Sequence, residues 1–222
     1  MQAQFHALLR VWFQFVEAQG YIGVFLLMAL ESSIVPIPSE VVIPPAAYWA
    51  AQGRMDFWLV VIVGAAGGLF GSLVSYAVSR AVGAPIINRY GKFILLPPET
   101  IAAGENWVRE YGPSGIFFAR LMPVVRHLVS IPAGILKMPV AAFSAATTAG
   151  AFLWCLILAW FGKKIIGDEP ALLDSPEALM SVLKHKMHFI VLGVVLLAVA
   201  YAAMVHFRKR SSKVSASRRV AP

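Results

Sequence analysis

Four charged side chains interrupt stretches that are otherwise apolar. Arg120 and Arg126 lie in the run 117–139 (FFARLMPVVRHLVSIPAGILKMP), and Glu31 and Glu40 lie in the run 30–50 (LESSIVPIPSEVVIPPAAYWA). An arginine near the middle of a bilayer costs about 2.5–3.5 kcal/mol on insertion scales, so an intramembrane charge points first to function. Arginine stays charged and offers a planar fork of donors that fits phosphate oxygens. Carboxylates offer two different roles. They can carry protons in a low-dielectric site, or pair with the arginines and lock the two runs together. The candidate substrate-binding set is therefore Arg120, Arg126, Glu31 and Glu40, and the ligand it suits is an anion.

The elements that position these residues must be broken ones. Pro36, Pro38 and Pro44 punctuate the first run, and Pro123, Pro132 and Gly134 punctuate the second. Each internal proline removes a helical hydrogen bond and clashes with the preceding turn. Arg120 and Arg126 are six residues apart, so they share a helical face only if the chain breaks at Pro123. Unwound backbone and charge at membrane depth are tolerated in a broken or re-entrant segment that lines a polar cavity. The two runs also parallel each other. Pro36 matches Pro123, Ile43-Pro44 matches Ile131-Pro132, and a long apolar helix rich in small residues follows each. The first copy carries acids where the second carries bases, and the pattern reads as an internal repeat.

Composition sets the class. Of 222 residues, 59% are hydrophobic and only 14% charged, and the mean hydropathy is +0.73. This excludes a disordered chain and argues for an all-α integral membrane protein. The net charge of +8 does not call for nucleic acid as a partner, because six bases and no acids lie in the tail 208–222 beside an apolar helix. That is the mark of a cytoplasmic C-terminus. The single cysteine, Cys155, excludes an intramolecular disulfide. The N-terminus lacks the layout of a cleaved signal peptide.

In order, residues 1–19 read as an amphipathic helix lying on the membrane. Hairpin 1 spans about 21–52, and a transmembrane helix covers 55–82, with Gly64, Gly67, Gly68 and Gly71 in its centre. An amphipathic linker over 83–113 opens a helix at Pro97-Pro98-Glu99 and ends it near Tyr111-Gly112-Pro113. Hairpin 2 spans about 114–138 and a second transmembrane helix 140–161. An outer loop over 162–187, a third transmembrane helix over 189–207 and a basic cytoplasmic tail over 209–222 complete a membrane domain of 20–208. With the tail inside, the two hairpins enter from opposite faces, as in an inverted-topology repeat.

Other chemistry finds no footing. The five histidines are scattered and compose no metal site. Pro113-Ser114-Gly115 matches part of a lipid-phosphatase motif, but no histidine follows Gly115. There is no phosphate-binding or dinucleotide glycine loop. The sequence therefore predicts neither an enzyme nor a cofactor.

The residues 118–134 resemble the signature of the DedA family of bacterial inner-membrane proteins, also called the SNARE-associated or VTT-domain family. Phe118, Arg120, Pro123, Arg126, Ala133 and Gly134 stand at its positions, with Ala119 where many members have glycine. Leu30-Glu31 and Pro38-Ser39-Glu40 resemble its acidic half, although the second acid there is often aspartate. The linker residues 89–92 and 95–97 are similar to one subgroup, and the resemblance covers roughly 20–167. It implies a multi-pass protein of the bacterial inner membrane that moves a phosphate-bearing lipid. Undecaprenyl (polyprenyl) phosphate recycled in envelope synthesis is the first expectation, with phosphatidylethanolamine as another lipid. The alternatives are a proton-dependent transporter of a small solute or ion, supporting pH and membrane-potential homeostasis, and a membrane scaffold. Membrane lipids are the expected partners, protons and a homo-oligomer are further ones, and four intramembrane charges speak against a scaffold.

Overall fold

Two glycines divide the helices that lead into the charged segments. The computed structural model describes residues 2–33, 39, 42–90, 98–122 and 125–168. Helix α1 (Gln2–Glu31) breaks at Gly20, with φ 56° and ψ −130°. Helix α4 (Pro98–Arg120) breaks at Gly112, with φ 55° and ψ −137°. A side chain at either position would be strained by the positive φ, so glycine allows the helix to change direction there. The first break falls one residue beyond the segment 1–19. The second falls inside Tyr111-Gly112-Pro113.

Among the described residues every regular element is a helix. After α1 come α2 (Ile43–Ala51), α3 (Phe57–Tyr90, broken at Gly83), α4, α5 (Val125–Leu128), α6 (Ser130–Ile135) and α7 (Val140–Asp168). Pro44 and Pro45 occupy the first turn of α2, and Pro132 occupies the first turn of α6. The N–H groups of a first turn have no intrahelical partner, so a proline there starts a helix and does not break one. Gly134 lies in the last turn of α6, just before the turn that leads to α7. The breaks around the charged residues instead fall after Glu31 and between Arg120 and Val125. Pro36, Pro38, Glu40 and Pro123 lie outside the described residues.

Two stretches, Phe57–Gly83 and Val140–Lys164, are long and apolar enough to cross a membrane, at 27 and 25 residues. At about 1.5 Å per residue each exceeds the roughly 30 Å hydrocarbon core. A core helix of a soluble protein would be buried on most sides. Here only 44% and 28% of the two spans is buried, and Trp58, Ile62, Phe70, Val78 and Trp160 point outward. Helix α7 continues to Asp168, past residue 161 where the sequence reading ends the span. The expected span 189–207 and the tail lie outside the described residues.

Packing follows an exchange of partners. α1 lies on α3 and α4 on α7, while α2 crosses to α7 and α6 crosses to α3. The two spanning helices also touch each other. Gly67 and Gly71 sit against the carbonyls of Phe25 and Ala29, and Gly150 sits against Phe117 and the stem of Arg120. A methyl group at Gly71 would collide with α1, so the missing side chain lets two backbones meet. Gly134 presses on the carbonyl of Tyr76, and Gly162 on Pro44. Two apolar cores result. One gathers α1, α2, α3 and α7 around Ile43 and Trp154. The other gathers α3, α4, α6 and α7 around Tyr76, Ile116 and Phe143.

Candidate functional site

The ends of the broken helices converge between the two cores. Glu31 is the last residue of α1 and Arg126 lies in α5, and their side chains form an ion pair. Both are almost fully buried, at 2% and 6% exposure. Ser39 sits between them: its backbone N–H donates to Glu31 Oε1 at 2.9 Å. Its hydroxyl accepts from Arg126 Nη2 at 2.6 Å and from Trp154 Nε1 at 3.1 Å. The Arg126 guanidinium lies over the Trp154 ring, Cζ 5.3 Å from the centroid. His127 Nδ1 lies 3.1 Å from the Glu31 carbonyl, an oxygen that can only accept. One carboxylate, one guanidinium, a hydroxyl and an indole thus tie the first broken segment to the second and both to α7.

The freed helix ends are satisfied from α3. Ser75 Oγ donates to the Ser33 carbonyl at 3.0 Å, with the Ser32 carbonyl at 3.4 Å. The neighbouring Tyr76 hydroxyl donates to the Met138 carbonyl. Carbonyls at a helix end need partners once they leave water, and two adjacent α3 residues serve one broken segment each.

Arg120 closes α4 and is as buried as Arg126, at 4% exposure. Its partners are neutral. Nη1 donates to the Arg126 carbonyl at 2.5 Å and Nη2 to Ser130 Oγ at 2.6 Å. Its Cζ lies 5.9 Å from the Phe143 centroid. Among the described residues no carboxylate pairs with it. Three buried polar atoms here have no partner: Arg120 Nε, Arg126 Nε and Thr147 Oγ1. Buried polar groups are normally satisfied, and among the described residues these two guanidinium N–H donors and this hydroxyl are exceptions. Guanidinium donors of this kind bind the oxygens of an anion.

Comparison with known proteins bears on this arrangement. The VTT domain model matches residues 37–164, which hold Ser39, Arg120, Arg126, Ser130 and Trp154. The chain belongs to the VTT-domain (DedA) family. A relative in Bacillus subtilis named undecaprenyl phosphate transporter A is 34% identical over 146 residues, 66% of this chain and 72% of that protein. A Staphylococcus aureus protein of the same name is 29% identical over 201 residues, 89% of this chain and 95% of its own. A Lactococcus lactis relative named alkaline phosphatase-like protein is 32% identical, over 77% of this chain and 83% of its own. No solved structure matches.

Within this VTT-domain chain, Glu31, Arg120 and Arg126 come together from residues up to 95 positions apart. Glu40 lies outside the described residues. Sequence reasoning passed over Ser39, Ser130, His127, Trp154, Phe143 and Thr147. Ser39 had a signal, since it lies between Pro38 and Glu40 in the segment already singled out. His127 had one too, as the neighbour of Arg126 in an apolar run. Nothing in the apolar pattern of α7 marks Trp154, Phe143 or Thr147 as facing the arginines.

Proposed function

We propose that this protein moves a phosphate-bearing lipid across the bacterial inner membrane, with undecaprenyl (polyprenyl) phosphate as the lipid. The observation that carries the reading is the buried pair Arg120 and Arg126, each with an Nε donor unpartnered. The names of the Bacillus and Staphylococcus relatives support the same substrate class. A phosphate head enters among the arginines while its chain stays in lipid. Arg120, Arg126, Glu31 and Glu40 form the binding set.

The architecture proposed for this task is a pair of re-entrant hairpins in an inverted repeat, about 21–52 and 114–138, inside a membrane domain of 20–208. The exchange of partners supports it: α1, α2 and α3 map onto α4, α6 and α7, so that α1 on α3 and α2 on α7 correspond to α4 on α7 and α6 on α3. The near-equal dihedrals at Gly20 and Gly112 add a local counterpart. With the basic tail 209–222 in the cytoplasm, the linker 83–113 lies inside and hairpin 2 opens inward.

The protein is proposed to be a carrier and not an enzyme, despite the name of the Lactococcus relative. Among the described residues around the arginines stand two serines that accept from guanidinium groups, a tryptophan, His127 turned to the Glu31 carbonyl and a glutamate already ion-paired, and no serine bonds the imidazole. The Glu31–Arg126 pair favours one second reading, proton coupling: a proton reaching Glu31 would release Arg126 to the phosphate. The test is flipping of labelled polyprenyl phosphate by pure protein in liposomes, with proton flux recorded on the same samples. Lipid movement is the expected result. Proton flux without lipid movement would replace the proposal with a proton-dependent carrier of another solute.

A further inference from the structure

Near the break at Gly83, α3 passes the turn that joins α6 to α7, and an open groove of about 560 Å³ lies there. Leu73, Ala77, Ala81 and Val140 give it an apolar lining. Among the described residues Arg80 and Lys137 are its only charged lining residues, and neither pairs with a carboxylate there. The Arg80 guanidinium is held in place. Arg80 Nη1 donates to Tyr76 Oη at 2.6 Å, with the Met138 carbonyl at 3.4 Å.

Lys137 is fixed by its backbone. It is the only non-glycine residue with positive φ (51°) among the described residues. Its N–H bonds the Gly134 carbonyl at 2.9 Å and the Met138 N–H bonds the Ala133 carbonyl at 3.1 Å. This is the two-bond helix ending that ordinarily carries glycine at the left-handed position. A lysine held where glycine is the relaxed choice, beside a second cation on an apolar groove, asks for a use of its charge.

Behind the groove stand two aromatic rings. Tyr76 stacks on Phe143 with centroids 4.7 Å apart, and Phe143 carries the guanidinium of buried Arg120. Resting on the lipid-phosphate reading above, we propose that the groove is an outer docking site for the head of a single-chain lipid monophosphate. The Tyr76–Phe143 pair separates it from the buried arginines. Charge selects the occupant. A phosphomonoester carries roughly −1.5 to −2 near neutral pH, as a phosphorylated side chain does, which matches two cations, whereas an ordinary diester phospholipid carries a single negative charge. The apolar lining receives the first part of the chain. On the orientation proposed above, the site lies at the cytoplasmic leaflet.

The test places a photocrosslinker in the groove, Ala77→p-benzoylphenylalanine, in full-length protein in nanodiscs. The probes are undecaprenyl monophosphate, undecaprenol and dioleoyl phosphatidylglycerol. Capture of the monophosphate should exceed that of both other lipids. Arg80→Gln with Lys137→Asn should cut it about tenfold, the scale of losing charge-assisted hydrogen bonds. Asparagine accepts a left-handed backbone, so this variant should fold, and a thermal melt checks it. Equal capture of undecaprenol, equal capture of phosphatidylglycerol, or no response to the double variant would each overturn the site. Charge-dependent capture in a protein that moves no lipid would leave the site standing and remove the transport reading. Lipid movement without such capture would do the reverse.

Discussion

Arg120 and Arg126 are the same residue type, equally buried, six positions apart, and held in opposite ways. Arg126 faces a carboxylate, shares Ser39 with it and lies over the Trp154 ring. Among the described residues Arg120 faces a carbonyl, a hydroxyl and a ring, none of them charged. A paired buried charge holds segments together, and removing its partner leaves a stranded ion. A charge held only by dipoles keeps most of its field for an incoming anion. The contrast places Arg126 in the contact between the two broken segments, and on the proposed function it leaves Arg120 as the candidate to receive the phosphate.

The lock can be broken first. Glu31→Gln strands Arg126 and should destabilise the protein by about 3–5 kcal/mol, the usual effect of removing one member of a buried pair. Thermal unfolding in detergent measures it. Glu31→Gln with Arg126→Gln should recover much of the loss, because neither member of the pair is then a stranded ion. Single variants as stable as the wild type would erase the distinction between the arginines.

Exchange of each arginine for lysine sharpens the distinction. Lysine keeps the charge and loses the planar fork. Arg120→Lys should lose transport about tenfold or more, as expected for removal of two-point phosphate contacts, and melt modestly lower as its bonds to the Arg126 carbonyl and Ser130 Oγ weaken. Arg126→Lys should lose transport as well and melt lower still, because the bond to Ser39 Oγ goes with the guanidinium that also faces Glu31. Flipping in liposomes run beside melting curves separates the two. Equal melting of both variants would mean that the lock does not depend on the fork.

Ser39 tests how much of the lock lies outside the ion pair. Its hydroxyl is shared by Arg126 and Trp154, and hydrogen bonds to charged groups contribute about 1.5–3 kcal/mol. Ser39→Ala should therefore destabilise by about that much, less than Glu31→Gln, with its backbone bond to Glu31 intact. An unchanged melt would place the whole lock in the Glu31–Arg126 contact.

How far the sequence carried the reading follows from where its signals lie. Charge within apolar runs is visible at once, so Arg120, Arg126 and Glu31 were readable before any coordinates. So were the helical class and the two spans, because about twenty consecutive apolar residues leave few alternatives in water. The prolines misled in part. Pro44 and Pro132 open helices, since a proline in a first turn and a proline in a break look alike without the hydrogen-bond pattern. Which arginine takes the carboxylate was not readable, because both lie in one apolar run and nothing in it shows which faces Glu31. The α7 face that meets them, Phe143, Thr147 and Trp154, is written in residues that serve equally well against lipid.

Thr147 gives the smallest expected effect and the most specific one. It is fully buried on α7, one turn after Phe143 and one turn before Gly150, whose neighbours are the ring and stem contacts of Arg120. Its hydroxyl has no partner. A buried hydroxyl without a bond destabilises the fold by about 1–3 kcal/mol. Thr147→Val keeps the branched shape and removes that group, so it should melt at or above the wild-type temperature, by up to about 1 kcal/mol of added stability. If the hydroxyl is reserved for the phosphate beside Arg120, transport should fall severalfold in the same variant while Thr147→Ser retains it. A hydroxyl with a merely structural role would give the opposite pair of results, a lower melt with transport following it down. Stability rising as transport falls is the outcome that ties α7 to the Arg120 side of the comparison.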